Sequence, residues 1–136
     1  MTSLFLVAAS HALAVGLSGS PPEAELCDGS QADRRICLSR LAETSEADLR
    51  SAEAAMETSL SAWDEEPMPV AAASARFARS RAAFSHYRQA QCDFNASLGG
   101  GAIGSALEMR RLMCVIELTR RRAGELRELA VRLPRK

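Results

Sequence analysis

Apolar positions recur at spacings of three and four along three stretches of this chain, each reading as one face of a helix. Leu49, Ala52, Met56, Leu60 and Trp63 form the first stripe. Thr44-Ser45 stands just ahead of Glu46 and Asp48 and reads as that helix's capping start, where a hydroxyl accepts exposed backbone N–H groups. The run DEEPMP, 64–69, ends it, because proline cannot extend the hydrogen-bond ladder. A second helix is expected from Val70 to Cys92, with Ala73, Phe77, Phe84 and Tyr87 near one face and Arg76, Arg79, Arg81 and Arg88 mostly off it. The glycines Gly99, Gly100 and Gly101 close it off. A third, longer helix starts near Ala102 and carries Ile103, Leu107, Leu112, Ile116, Thr119, Ala123, Leu126, Ala130 and Leu133 at helical spacing. Upstream, DRRICLSRLA, 33–42, reads as one or two helical turns begun by Asp33. No segment alternates apolar and polar residues for long, so no sheet is expected. The fold class is therefore all-α: a small helical bundle of three main helices plus a short N-terminal helical turn. Trp63, Phe77, Phe84, Leu112, Ile116 and Leu126 are its expected core.

Composition makes that core thin. The 136 residues are 47% apolar but only 4% aromatic, so Ala, Leu, Val and Met must fill it. A small domain of this kind usually gains stability from covalent staples when it is exported. The opening MTSLFLVAASHALAVGLSGS contains no Lys, Arg, Asp or Glu, and its apolar run from Leu4 to Leu17 is broken by Ser10 and His11. Ala12-Leu13-Ala14 matches a small-x-small cleavage site, and Ser18-Gly19-Ser20 offers a later one. Residues 1–20 thus read as an export segment cleaved near 14–20. That leaves 21–136 as a single helical domain, periplasmic or secreted. Ala, Ser and Gly make the run a weak membrane span, so no stable span is expected after processing.

Four cysteines allow three pairings, and sequence proximity favours Cys27 with Cys37 and Cys92 with Cys114. A zinc site is disfavoured, since the spacings are C-x9-C and C-x21-C and His86 is the only histidine beyond the export segment. Gly99, Gly101 and Gly104 make a literal G-x-G-x-x-G, but a helix precedes them where a dinucleotide loop needs a strand. Capture of an anion by the loop's N–H groups is a lesser alternative to a plain flexible connection. Asp64, Glu65 and Glu66 form an acidic cluster with no partner histidine and no metal ligands, best read as a solvated loop. No nucleophile, base and orienting group can be assembled, so no enzyme, cofactor, metal or nucleic-acid partner is expected.

The net charge is zero but unevenly spread. Residues 15–75 hold 12 acidic and 4 basic residues, about −8, while residues 76–136 hold 5 acidic and 13 basic, about +8. Either the halves attract each other across a helical hairpin, or they display a patch to a partner.

The stretch FSHYRQAQC, 84–92, with its aromatic, Tyr87-Arg88 and terminal Cys92, the glycine run 99–101, and Cys114 followed by Thr119, Arg122 and Leu126 resemble the LprI-type lysozyme inhibitor family. These are small exported bacterial helical proteins with paired cysteines. Phe84 stands where that family usually has a Trp and Gln89 where Asp is common. Cys37-Leu38 and the helix through Leu49 resemble its N-terminal cysteine segment. The resemblance implies an exported binding protein with lysozyme as protein partner, inhibiting by stoichiometric binding. The alternative is a structural or interaction protein of the bacterial envelope with no enzyme target. Asp64, Glu65 and Glu66, steering approach to a basic enzyme, and Gly99, Gly100 and Gly101, delivering a blocking contact, are the candidate partner-binding residues.

Overall fold

The computed structural model describes residues 27–136, so the expected export segment lies outside the described residues. Three helices run in succession, α1 (Gln31–Ser61), α2 (Pro67–Ser97) and α3 (Gly104–Arg132), and the described residues contain no strand. The all-α bundle read from the apolar spacing is the observed architecture.

The boundaries differ from those read in the sequence, each for a local reason. Helix α1 starts at a capping box formed by Ser30 and Asp33: the Ser30 hydroxyl accepts from Asp33 N at 3.2 Å, and the Asp33 carboxylate accepts from Ser30 N at 3.2 Å. The turns begun near Asp33 continue unbroken into the long helix. Thr44 and Ser45 do not cap it. Their hydroxyls donate back to Arg40 O and Ala42 O, both at 2.9 Å, and Ser45 is buried. A hydroxyl bonded to the preceding turn is compatible with helix, and small Ser45 extends the buried stripe from Leu49 back towards Leu38. Helix α2 starts at Pro67, where the missing N–H is one of the first-turn donors without an intrahelical acceptor anyway. The prolines therefore begin α2 rather than ending α1, which stops earlier, at Ser61, with Ala62 as its C-cap.

Helices α1 and α3 pack along much of their length, while α2 lies mainly on α3 and touches α1 sparingly. One buried cluster joins Leu49, Ala52, Met56 and Leu60 to Ala123, Leu126 and Ala130. A second gathers Cys27, Leu38 and Ile116 at the other end. Of the expected core, Ile116 and Leu126 are fully buried, but Trp63, Phe77, Phe84 and Leu112 are only partly so; Tyr87, read as near the same face of α2 as Phe84, is exposed. Alanines at the α1–α3 contact let those helices approach closely. The aromatics consequently lie at the edge, where Phe77 and Phe84 of α2 and Trp63 pack against that cluster from one side. Helix α2 itself contributes a single buried residue, Cys92.

Part of the charge asymmetry is absorbed inside the fold, where Arg81, Arg88 and Arg127 of the basic half pair with carboxylates of the acidic half. Arg81 of α2 pairs with Glu53 (3.0 Å) and Glu57 (2.5 Å) of α1, and Arg111 of α3 with Asp93 of α2 at 2.6 Å. Arg127 of α3 pairs with Asp48 of α1, and Arg35 of α1 with Glu108 of α3 at 3.4 Å. Exposed pairs contribute up to about 1 kcal/mol each, so they orient the helices more than they stabilise them.

Candidate partner-binding surface

The residues that carry the family resemblance meet between α2 and the other helices. Both expected disulfides form: Cys27–Cys37 with Cα atoms 5.7 Å apart, and Cys92–Cys114 at 5.5 Å. One turn before Cys92, Arg88 donates to the hydroxyl of fully buried Thr119 at 2.7 Å and pairs with Glu46 at 2.6 Å. Its side chain is only 17% exposed. Phe84 is flanked by two guanidinium groups, Arg88 at 5.5 Å and Arg122 at 5.7 Å from the ring centroid, and Arg122 donates to Ser80 at 2.7 Å. Arg88 thus lies on the packed face of α2, contrary to the sequence expectation. Phe84, Arg88, Cys92, Cys114, Thr119 and Arg122 form one clasp that joins α2 to both neighbours. Sequence spacing placed each of them on a helix but could not show that Arg88 spans three.

The chain belongs to the LprI lysozyme inhibitor family, whose model matches residues 24–126. Neither a curated protein nor a solved structure matches it significantly. Within this LprI-family chain, the two candidate binding segments stand at opposite ends of the bundle. Helix α2 separates them, with 31 residues and a length of about 46 Å.

At one end Asp64, Glu65 and Glu66 are exposed, and none forms an ion pair among the described residues. The C-terminal tail is stitched beside them: Asp64 N donates to Pro134 O at 2.9 Å, Lys136 N to Ala62 O at 3.1 Å, and Trp63 and Arg135 form an isolated antiparallel bridge. Two cationic residues therefore stand beside three carboxylates, which weakens the field this end can project.

At the other end, the glycines do different work. Gly100 has φ +58°, the left-handed region that favours glycine, and turns the chain. A Cβ on Gly99 would run into the Leu107 side chain, so Gly99 permits a close approach of loop and helix. Gly101 faces open space. Leu98 and Ile103 flank this turn and are exposed. Beside it lies an open depression of about 220 Å³ lined by Leu38, Leu107, Met109 and Met113, with Arg34 and Arg110 at its edge. The Arg34 Nε is buried there without a hydrogen-bond partner. Among the described residues no three His, Cys, Asp or Glu side chains are placed to hold a metal ion, and no helix is long and apolar enough to cross a membrane.

Proposed function

We propose that this chain is exported with its leading segment cleaved near residues 14–20 and inhibits a lysozyme by stoichiometric binding, using the glycine-turn end as its contact. The family match over residues 24–126 carries this reading. The choice of surface rests on geometry: a turn with exposed apolar residues Leu98 and Ile103 is clamped by the buried Cys92 through its bridge to Cys114. A pre-organised protrusion loses little entropy on entering a cleft. Many lysozymes are basic and hold a carboxylate pair in a cleft, so the carboxylates of residues 64–66 act at most as a steering element, while backbone N–H groups or Arg110 near the turn face the cleft.

A specific observation also favours the envelope interaction reading. Most of the residues that carry the resemblance are engaged in the clasp, which any partner would require equally. Titration of the oxidised protein into several lysozyme types acting on peptidoglycan separates the two. Inhibition that saturates at one chain per enzyme, with matching calorimetric stoichiometry, is the expected result. Absence of saturable binding to every type tested refutes the inhibitor reading.

A further inference from the structure

Helix α2 presents a second face that is left mostly open, with Tyr87 alone bordering a shallow depression against Leu118 and Arg121 of α3. Met68, Ala72, Arg76, Arg79, Ala83, Tyr87, Ala90, Phe94 and Leu98 follow one another along it, and every one is exposed. The large apolar members are strongly so: Met68 82%, Tyr87 55%, Phe94 58% and Leu98 60%. From Ala72 to Phe94 the steps are four, three and four, repeated, an eleven-residue period that keeps a stripe on one side of a helix and suits a right-handed helix pair.

We infer that this face pairs with the same face of a second copy, antiparallel, about a two-fold axis at Ala83. The order of residues carries the inference. In such a pair each position i lies level with position 166−i of the other copy. Ala83 then meets Ala83, Phe94 lies level with Ala72, Met68 with Leu98, Arg76 with Ala90, and Arg79 with the ring of Tyr87. Large side chains fall beside small ones at Phe94 and Ala72, and Arg79, which forms no ion pair among the described residues, gains an aromatic face. A self-complementary surface is what a two-fold interface requires.

Charge agrees. The same register sets Glu66 level with Gly100, so Asp64, Glu65 and Glu66 of one copy lie alongside the other copy's glycine turn and its Arg110. Arg110 donates only to a backbone carbonyl, Asn95 O at 3.2 Å, and forms no ion pair among the described residues. A face about 46 Å long and about 10 Å wide is on the order of 500 Å² per copy, or roughly 1,000 Å² per pair, the small end of specific interfaces. The pair is therefore a weak, reversible dimer. It joins the two segments that the monomer holds apart, so each end of the dimer offers an acidic loop beside a glycine turn. That last consequence rests on the proposed lysozyme reading; the pairing does not.

Sedimentation of the full oxidised protein over a micromolar to sub-millimolar range tests it. A concentration-dependent monomer–dimer equilibrium is expected. Ala83→Glu, a good helix former at an exposed site, sets two carboxylates against each other on the axis and should raise the dimer dissociation constant at least tenfold, with helicity and melting temperature unchanged. Under mild oxidation a mixture of Ala72→Cys and Phe94→Cys chains should give a linked heterodimer, while neither alone gives a dimer. Monomer mass throughout, or an Ala83→Glu dimer as tight as the parent, overturns the pairing, and self-linking of each cysteine variant alone overturns its antiparallel sense. Unaltered dimerisation with no lysozyme binding would refute the inhibitor reading while leaving the pairing intact.

Discussion

Replacing Arg88 with Met should destabilise the protein far more than removing an ordinary surface arginine. The methionine stem keeps the contacts that the arginine methylenes make, so the loss isolates the guanidinium. Three interactions go. The pair with Glu46, whose side chain is 33% exposed, is discounted for solvent to about 0.5–1 kcal/mol. The stacking on Phe84 contributes about 0.5–1 kcal/mol. The bond to Thr119 matters most: that hydroxyl is fully buried, and leaving it without its donor costs about 1–2 kcal/mol. Together these give about 3 kcal/mol, or a fall in melting temperature of about 12 °C for a domain of this size. A double-mutant cycle with Thr119→Val, measured by urea unfolding, isolates the central bond, and its coupling energy should be about 1–2 kcal/mol. Additivity within about 0.3 kcal/mol would refute the reasoning, because the Arg88–Thr119 bond would then contribute nothing and the clasp would not hold α2 in place.

Cys92→Ala with Cys114→Ala removes a bridge of sequence separation 22 and should cost about 3.4 kcal/mol by the chain-entropy relation, against about 2.8 kcal/mol for Cys27→Ala with Cys37→Ala at separation 10. Chemical denaturation of each pair variant checks both size and order. Phe84→Ala should cost about 2 kcal/mol, below the range of a fully buried aromatic because the ring is only partly covered, whereas Leu126→Ala should cost about 3 kcal/mol or more; calorimetric melting compares them. Gly101→Ala should leave stability unchanged, while Gly100→Ala, forced to φ +58°, should lose about 1 kcal/mol, so an unaltered melting temperature for Gly100→Ala would refute the turn assignment. In surface-resonance binding to a basic lysozyme, Asp64→Asn, Glu65→Gln and Glu66→Gln together should slow association and flatten its salt dependence while leaving dissociation largely alone.

The three helices, their order and both disulfides were legible because apolar spacing, proline and glycine punctuation, and cysteine proximity all act over short stretches of chain. The misplaced boundaries were also local, where two signals competed. Asp33 and the pair Thr44-Ser45 both read as helix starts, and only the apolar stripe running through Ser45 to Leu38 decides between them. The burial of the aromatics was not legible. It depends on how closely α1 and α3 approach, which is set by alanines on two helices far apart in sequence. Arg88 shows the same limit from the polar side. An arginine near the middle of a helix reads as solvated unless Glu46 and Thr119, 42 positions before it and 31 after, are known to meet it.

That limit bears on what family membership means for this chain. Most of the residues on which the resemblance was read, Arg88, Cys92, Cys114, Thr119 and Arg122 among them, are buried or bonded within the clasp, where they fix the position of α2. In the proposed reading partner recognition falls instead to residues outside the clasp, Leu98 and Ile103 at the turn with the carboxylates at the far end. Fold and recognition can then vary independently, since a change at Ile103 alters a contact without touching the clasp, and a change at Thr119 unsettles the clasp without touching a contact. Helix α2 links the two, because the clasp that orients its packed face also orients its exposed one. A variant that loosens the clasp, such as Arg88→Met, should therefore weaken both dimer formation and partner binding, while a variant at Ile103, which lies outside the proposed dimer stripe, should affect partner binding alone.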